Sequence, residues 1–528
     1  MAHAQVSTSP CIDREAELSM NRARTERSTT AAVRSETSAQ LAGIERRSIG
    51  YVPLSERHGK VWHLFPVWFT GGAQLATVAT GFIGIGMGAN LLYTMIAIVL
   101  GCAFGTFFMA FHSTQGPQLG LPQMIQSRPQ FGYMGALLVW GVALISYVGY
   151  NVFNQVLAGD AIHQIVGTPS TVSYVAVTLA AVAIAFAGYD WIHRVQRWLS
   201  LPLIIALVLI TIGFFATVRL PGSEWSLSGF NTTAFLAQFV AAAAYQLSWA
   251  IYVSDYSRYL PRDVPIRYTF WSTYVGTLLG GAWTMLLGAA AATLNRQLDV
   301  IQSLQAFGDH MVHGFGTAIL VVSLPGLVTI SALNFYGGSL TLLSALDCFR
   351  NVDPKRVARL TSLALIAAIA FVLTMAASKS FMSSFGAFLA ILFYLFTPWT
   401  AVNLVDFYFV RHTHYSVREI FNPRGIYGRW SWRGLTAYWV GFLAMVPFWS
   451  TEWYTGPVAR ALGGVDVSVL VGLPVATIVY LLACRSLDTD GERIQVAAAD
   501  ADLEPAPLNA SPNLNGSPSL VGAFGVGS

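Results

Sequence analysis

Six carboxamides stand out in stretches of sequence that otherwise carry few polar groups: Gln74, Asn151, Asn154, Gln155, Gln246 and Asn334. An Asn or Gln surrounded by apolar residues needs a partner, which is either a neighbouring helix or a ligand. Any one of them read alone is interhelical glue, but several at one depth point to a neutral, polar ligand. Tyr150 stands four residues before Asn154, so a ring and an amide share one helical face. Trp249 lies in AAAAYQLSWAIYVSDY, a run of small residues that admits a second helix closely. Charged chemistry is nearly absent at depth: Asp190, Asp255, Asp347 and Asp406 fall at the ends of apolar stretches, and only Asp160 lies within one. That argues against a pump built on buried carboxylates. There is no HExxH, no glycine-rich phosphate loop and no intramembrane carboxylate pair, which argues against an enzyme. No metal site is expected: His112, His163 and His193 lack a second ligand at helical spacing, and Cys11, Cys102, Cys348 and Cys484 are far apart.

The elements that must position these residues are membrane helices. The 528 residues are 54% hydrophobic and 11% charged, against about 25% charged in an average soluble protein. Stretches long enough to cross about 30 Å of hydrocarbon recur near 61–88, 91–113, 131–162, 171–188, 198–217, 233–254, 268–292, 313–346, 358–376, 381–406, 435–451 and 466–484. Fifteen Lys and Arg then fall in loops on the side of the N-terminus and four (Arg219, Arg296, Lys379, Arg460) on the other. The excess predicts both termini in the cytoplasm of a cell-membrane protein. Residues 1–60 and 486–528, rich in Ser, Ala, Asp and Pro, are expected to be disordered cytosolic tails, the first without a signal peptide. A formal net charge of +4 and the lack of a basic run with interleaved aromatics set nucleic acid aside. Nothing marks an obligate protein partner. Helix breakers add a second clue: Gly71 and Gly72 predict unwinding of the first span, whereas the sixth has no Gly or Pro at its centre. Gly84/Gly88 and Gly101/Gly105 read as packing faces.

Three runs resemble the nucleobase cation symporters of the purine and cytosine permease type: ERHGKVWHLFPVWF (56–69), QGPQLGLPQMIQSRPQFGYMG (115–135) and SDYSRYLP (254–261). The likeness extends over about residues 45–450 in order and spacing. It implies an all-α integral membrane protein of the leucine-transporter type. Two inverted five-helix repeats (61–217 and 233–406) would form a core (61–406), followed by a cytosolic loop (407–434) and two accessory helices (435–485). The family's substrate-binding positions match Gln74, Tyr150, Asn154, Trp249 and Asn334, with tyrosine at 150 where tryptophan is commoner. The oxygen ligands of a sodium-coordinating relative match Thr70, Ala73 and Thr329, while Val328 stands where that relative has serine, so sodium and proton coupling both stay open. Asp160, where relatives often have glutamine, is a candidate protonatable coupling group.

The resemblance thus implies a non-enzymatic, cation-coupled importer of a purine or cytosine-like base, with no cofactor beyond the co-transported H⁺ or Na⁺. Tyr150 and Trp249 would sandwich the faces of the flat base and the amides pair its edges. A related permease for allantoin, hydantoin, uracil, thiamine or a pyridoxine-like ring is the alternative, and a channel or sensor a more distant one.

Overall fold

The computed structural model describes residues 50–187, 189–349, 356–501 and 503; the side chains of 188–200 and 356 are left aside. Among the described residues the chain is helical, with a lone β-bridge between Ser450 and Thr455. Among the described residues, seven helices are by themselves long and apolar enough to cross a membrane, eight if the bent pair Ser468–Cys484 and Thr489–Ala499 counts as one. One of the seven, Val357–Val410, contains both the ninth and tenth expected spans. The other expected spans fall short for local reasons. Span 1 is broken into Leu64–Gly72, Leu75–Thr80 and Phe82–Gly86, the apolar part of span 5 is Leu201–Thr217, and spans 11 and 12 are the short helices Trp432–Met445 and Ser468–Cys484.

Helix starts follow local capping chemistry. The Asn90 side chain accepts from Tyr93 N at 3.0 Å to open span 2 (Leu91–Ser113), and Asn231 accepts from Ala234 N at 3.0 Å to open span 6. Packing follows the pairing expected of an inverted repeat. Span 2 packs most extensively on span 6, span 1 on span 7 (Ile266–Leu294), and span 3 (Leu137–Val166) on span 8 (Phe315–Asp347). Exchanging spans 1, 2 and 3 with 6, 7 and 8 maps the first two pairs onto each other and the third onto itself.

Two spans of the core are broken part-way along. Span 1 unwinds at Ala73 and Gln74, just beyond Gly72; Gln74 adopts extended backbone (φ −138°, ψ 160°). Span 6 is also interrupted, which its sequence does not announce. The helix Thr232–Ser248 tightens into the turn Trp249–Tyr252 and resumes as Val253–Ser257. Instead of Gly or Pro, Ser248 Oγ takes the Tyr245 carbonyl at 2.7 Å, and Trp249 is wedged among Trp68, Tyr245 and Tyr252.

The tails need correction. Residues 1–49 and 504–528 lie outside the described residues, but 50–60 and 486–501 pack on the core. Val52 N bonds the Gly120 carbonyl, and buried Arg57 donates to Val52 O and Pro117 O. On the same face, Thr489–Ala499 is a helix whose Glu492 pairs with Arg411 at 2.6 Å, while the Asp500 carboxylate takes Ser416 Oγ and Val417 N at the start of the helix Val417–Phe421. Polar composition does not keep this segment loose, because two carboxylates find buried partners. Arg411 also grips Asp406 at 2.6 Å, and Asp406 accepts further bonds from Gln130, Tyr415 and Tyr480. Burial alone would disfavour the Arg411 cation, but the facing Asp406, with Glu492 beside it, holds its pKa well above the usual value.

Asp406→Ala should therefore cost about 3–5 kcal/mol by removing the carboxylate shared by Arg411, Gln130, Tyr415 and Tyr480, whereas Glu492→Ala, which leaves Arg411 its Asp406 partner, should cost about 1 kcal/mol. Melting curves of the two variants in detergent check the difference: Asp406→Ala should lose most of its folded protein while Glu492→Ala melts within a few degrees of wild type.

Candidate functional site

Between the two faces of the bundle the breaks in spans 1 and 6 meet spans 3, 8 and 10. At the first break the protein repairs most of what unwinding exposes. Ala73 N bonds the Phe69 and Thr70 carbonyls, Gln74 N bonds Gly72 O at 3.0 Å, Thr284 Oγ1 of span 7 donates to Gly72 O at 2.9 Å, and the Gln74 amide donates to Gly71 O. The second join, at Gly81, is closed by a glutamine from span 6: Gln238 Oε1 accepts from Gly84 N at 2.8 Å and Nε2 donates to Thr80 O at 3.1 Å. These contacts demand glycine where span 7 crosses span 1. A Cβ on Gly72 would lie 2.6 Å from Gly281 N, and one on Gly280 2.3 Å from Phe69 O.

The expected site residues fall into three neighbouring groups. The first surrounds the span 6 turn. Trp249 is 6% exposed, with ring centroids of Trp68, Tyr245 and Tyr252 at 6.0, 6.2 and 5.6 Å, and its indole Nε1 has no partner among the described residues. Tyr150 donates to, or accepts from, Ser248 Oγ at 2.6 Å, and packs edge-on against Tyr245 and Phe388 of span 10 (Phe381–Val405). Tyr150 and Trp249 thus flank Tyr245 rather than stacking on each other. Asn154, one turn along span 3 from Tyr150, is buried with Oδ1 unpartnered.

The second group lines a cavity of about 110 Å³ toward the face that carries the described chain ends. Asn334 forms part of its wall, with Tyr147, Tyr252, Asp255, Tyr256 and Arg258. Tyr147 and Tyr252 stack in parallel there, 5.9 Å apart. Neither was singled out from sequence, although Tyr147 lies one turn before Tyr150 in SYVGYNVFN. On the opposite face a larger cavity, about 470 Å³, is bounded by Phe82, Ile85, Val240, Arg296, Gly386 and Asp466 among others. Tyr150, Asn154 and Trp249 line neither cavity; with Tyr245 and Phe388 they form the closed layer between the two.

The third group is a small cavity of about 20 Å³ where Thr70, Ala73, Gln74 and Thr329 converge with Ser323. The three expected cation ligands are therefore brought together. Both threonine hydroxyls donate into their own helices, Thr70 to Pro66 O and Val67 O, and Thr329 to Pro325 O and Gly326 O. Their lone pairs remain free for an electrophile. Ser323, six residues before Thr329, is an oxygen that sequence matching missed, because it is not the neighbour of Thr329 at which the sodium-coordinating relative has serine. Asp160 is apart from all three groups: its carboxylate accepts from Tyr174 OH of span 4 (Ser170–Ala187) at 2.6 Å.

Residues 51–472 match the family described as permeases for cytosine/purines, uracil, thiamine and allantoin. The chain belongs to this family. "Putative purine-cytosine permease YxlA" of Bacillus subtilis is 36% identical over 84% of this chain and 96% of its own. "Purine-cytosine permease fcyB" of Emericella nidulans is 24% identical over 83% and 88%. A yeast vitamin B6 transporter is 25% identical over 54% of this chain and 52% of its own. Among solved structures, an inward-facing conformation of Mhp1 superimposes with a TM-score of 0.68 at 16% identity, covering 86% of this chain and 98% of that one. A closed form of Mhp1, a nucleobase-cation-symport-1 family transporter, with bromovinylhydantoin bound, gives 0.67. The fold is that of this transporter group, and the permease is a multi-pass membrane protein.

Because backbone meets backbone at the crossing, Gly72→Ala should abolish uptake or folding, whereas Gly86→Ala, with nothing within 4 Å of its added carbon, should leave both intact. Surface expression and uptake of the two variants check this.

Proposed function

We propose that this permease imports a purine or cytosine-like base by cation-coupled alternating access. The observation that carries the reading is a set of buried, unbonded polar atoms in the closed layer: Trp249 Nε1, Asn154 Oδ1 and both amide atoms of Asn151. Native interiors rarely leave such groups orphaned, and a flat heterocycle can bond amides with its edges while rings cover its faces. Tyr150 and Trp249 supply the rings; Asn154, Asn334 and Gln74 supply edge contacts. The family description, and the names of the relatives matched over most of their length, support the substrate class.

The cation in this reading is Na⁺, held by Thr70 Oγ1, the Ala73 carbonyl, Thr329 Oγ1 and Ser323 Oγ, a neutral oxygen set that suits an alkali ion better than a proton. Gln74 lines the same cavity from the next residue of the break, so occupancy of the cation site stiffens the segment that presents Gln74 to the base. That mutual stabilisation is the coupling. Both termini face the cytoplasm in this account, which makes the cavity beside Asn334 the exit and the larger one the entrance.

Uptake of radiolabelled cytosine, adenine, hypoxanthine, uracil and allantoin into proteoliposomes, under separately imposed sodium and proton gradients, tests the reading. A base should accumulate saturably with the sodium gradient. Asn334→Ala should reduce that uptake at least about tenfold, as expected for an edge contact left unpaired, and Thr329→Val should remove the sodium dependence. Failure of every base in folded protein would move the substrate to other heterocycles. Asp160→Asn decides the remaining coupling candidate: with sodium as the driver, its uptake–pH profile should overlay that of wild type, and a displaced profile would make Asp160 a proton carrier.

A further inference from the structure

Spans 3 and 8 meet along a seam of polar groups that the protein does not bond to itself. Tyr147 fixes their register: a Cβ on Gly337 would lie 2.9 Å from its ring, and one on Gly338 3.5 Å from its Cβ. The helices run antiparallel, so one turn onward from Tyr147 to Asn151 matches one turn back from Gly338 to Asn334, and the next turn brings Asn154 level with Ser331. Asn151 is fully buried, and neither its Oδ1 nor its Nδ2 has a partner among the described residues; the same holds for Ser331 Oγ and Asn154 Oδ1. Gln155 also keeps a buried, unpartnered Nε2, but its Oε1 accepts from Thr374 Oγ1 of span 9 at 3.1 Å, which holds the amide on the span 9 side.

We propose that Asn151 is a specificity-determining residue, which together with Ser331 pairs the second hydrogen-bonding edge of a fused bicyclic base. The proposal rests on the nucleobase reading and deepens it. Successive residues on a helix are turned by about 100°, so Asn151 sits roughly 60° from Asn154, on the side away from Tyr150. It therefore faces span 8 from the flank of span 3 that is turned away from Tyr150. A monocycle such as cytosine is satisfied by Asn154 and Asn334. A purine carries a second ring whose N9–H lies beside N3 of the six-membered ring, and one carboxamide answers this donor–acceptor pair with its own acceptor and donor. The Ser331 hydroxyl, which can donate or accept, accommodates whichever group the six-membered ring turns toward span 8.

Equilibrium binding of radiolabelled hypoxanthine and cytosine to the purified full-length protein, with sodium present, tests this in wild type, Asn151→Ala and Ser331→Ala. Asn151→Ala should weaken hypoxanthine at least about tenfold and cytosine less than about threefold, the size of a lost two-point contact. Its melting temperature should not fall, since an orphaned amide has been removed. Equal weakening of both ligands, or no change in either, overturns the proposal and makes the seam a packing or hydration feature. Should Asn151→Ala not fold, Ser331→Ala carries the decision, with the same asymmetry expected at smaller size and symmetry again overturning it. Wild type that binds neither base fails the nucleobase reading itself, and that result is seen before any variant is compared.

Discussion

A polar group in hydrocarbon must find a partner, and this requirement organises the whole structure. With no water to bond it, each exposed amide or carbonyl in the membrane interior is costly, so breaking two helices at mid-depth is tolerable only if other residues take over the freed groups. The protein does this with its own side chains nearly everywhere. Thr284 and the Gln74 amide serve the first break, Gln238 spans the second join of span 1, and Gln246 donates to the Thr277 carbonyl of span 7. Unbonded buried atoms remain elsewhere, Gln246 Oε1, Thr269 Oγ1 and Trp449 Nε1 among them, but Trp249 Nε1, Asn154 Oδ1 and both amide atoms of Asn151 fall together beside the two breaks.

The same rule operates at the face that carries the described chain ends. The run QGPQLGLPQMIQSRPQ supplies three glutamines to one continuous chain of hydrogen bonds. Gln123 N donates to Asp255 of span 6, Gln123 Nε2 to Gln115, Gln115 to Asn403 of span 10, Asn403 to Gln130, and Gln130 to Asp406. His112 joins it through Gln123 at 3.2 Å, with its ring flat against Trp399. Asp406 and Arg411 then carry the chain to Glu492 beyond the last span. The half of span 6 beyond its break, which borders the cavity beside Asn334, is thereby fastened to span 10 and to the C-terminal helix. A rigid connection of this kind lets rearrangement at the break register at the loops on that face.

Much of this was legible in the sequence because membrane helices announce themselves by composition and spacing. The depths of Gln74, Tyr150, Asn154, Trp249 and Asn334 follow from counting along apolar stretches, and the unwinding of span 1 from Gly71 and Gly72. The interruption of span 6 was not legible: it depends on a serine bonding its own backbone and on an indole wedged against Trp68 from another span, neither of which is a local breaker. Ser323 escaped for a similar reason, since it stands six residues from Thr329 and joins it only at the cavity where span 8 meets the break in span 1. The helix Thr489–Ala499 escaped because composition weighs apolar burial, while its order comes from two carboxylates, Glu492 and Asp500, meeting buried donors. The seam between spans 3 and 8 shows the complementary limit: sequence places Asn151 near the site, but only the Tyr147–Gly338 contact sets the register that faces it toward span 8.

The central claim is that the unbonded groups between the two breaks are the ligand site. A cryo-electron microscopy map of the purified permease saturated with hypoxanthine and sodium tests it most directly. Flat density is expected within hydrogen-bonding distance of Asn154 and Asn334, covered on its faces by Tyr150 and Trp249. Density confined to the larger cavity beside Arg296, with the layer still closed and its amides still unbonded, would contradict it.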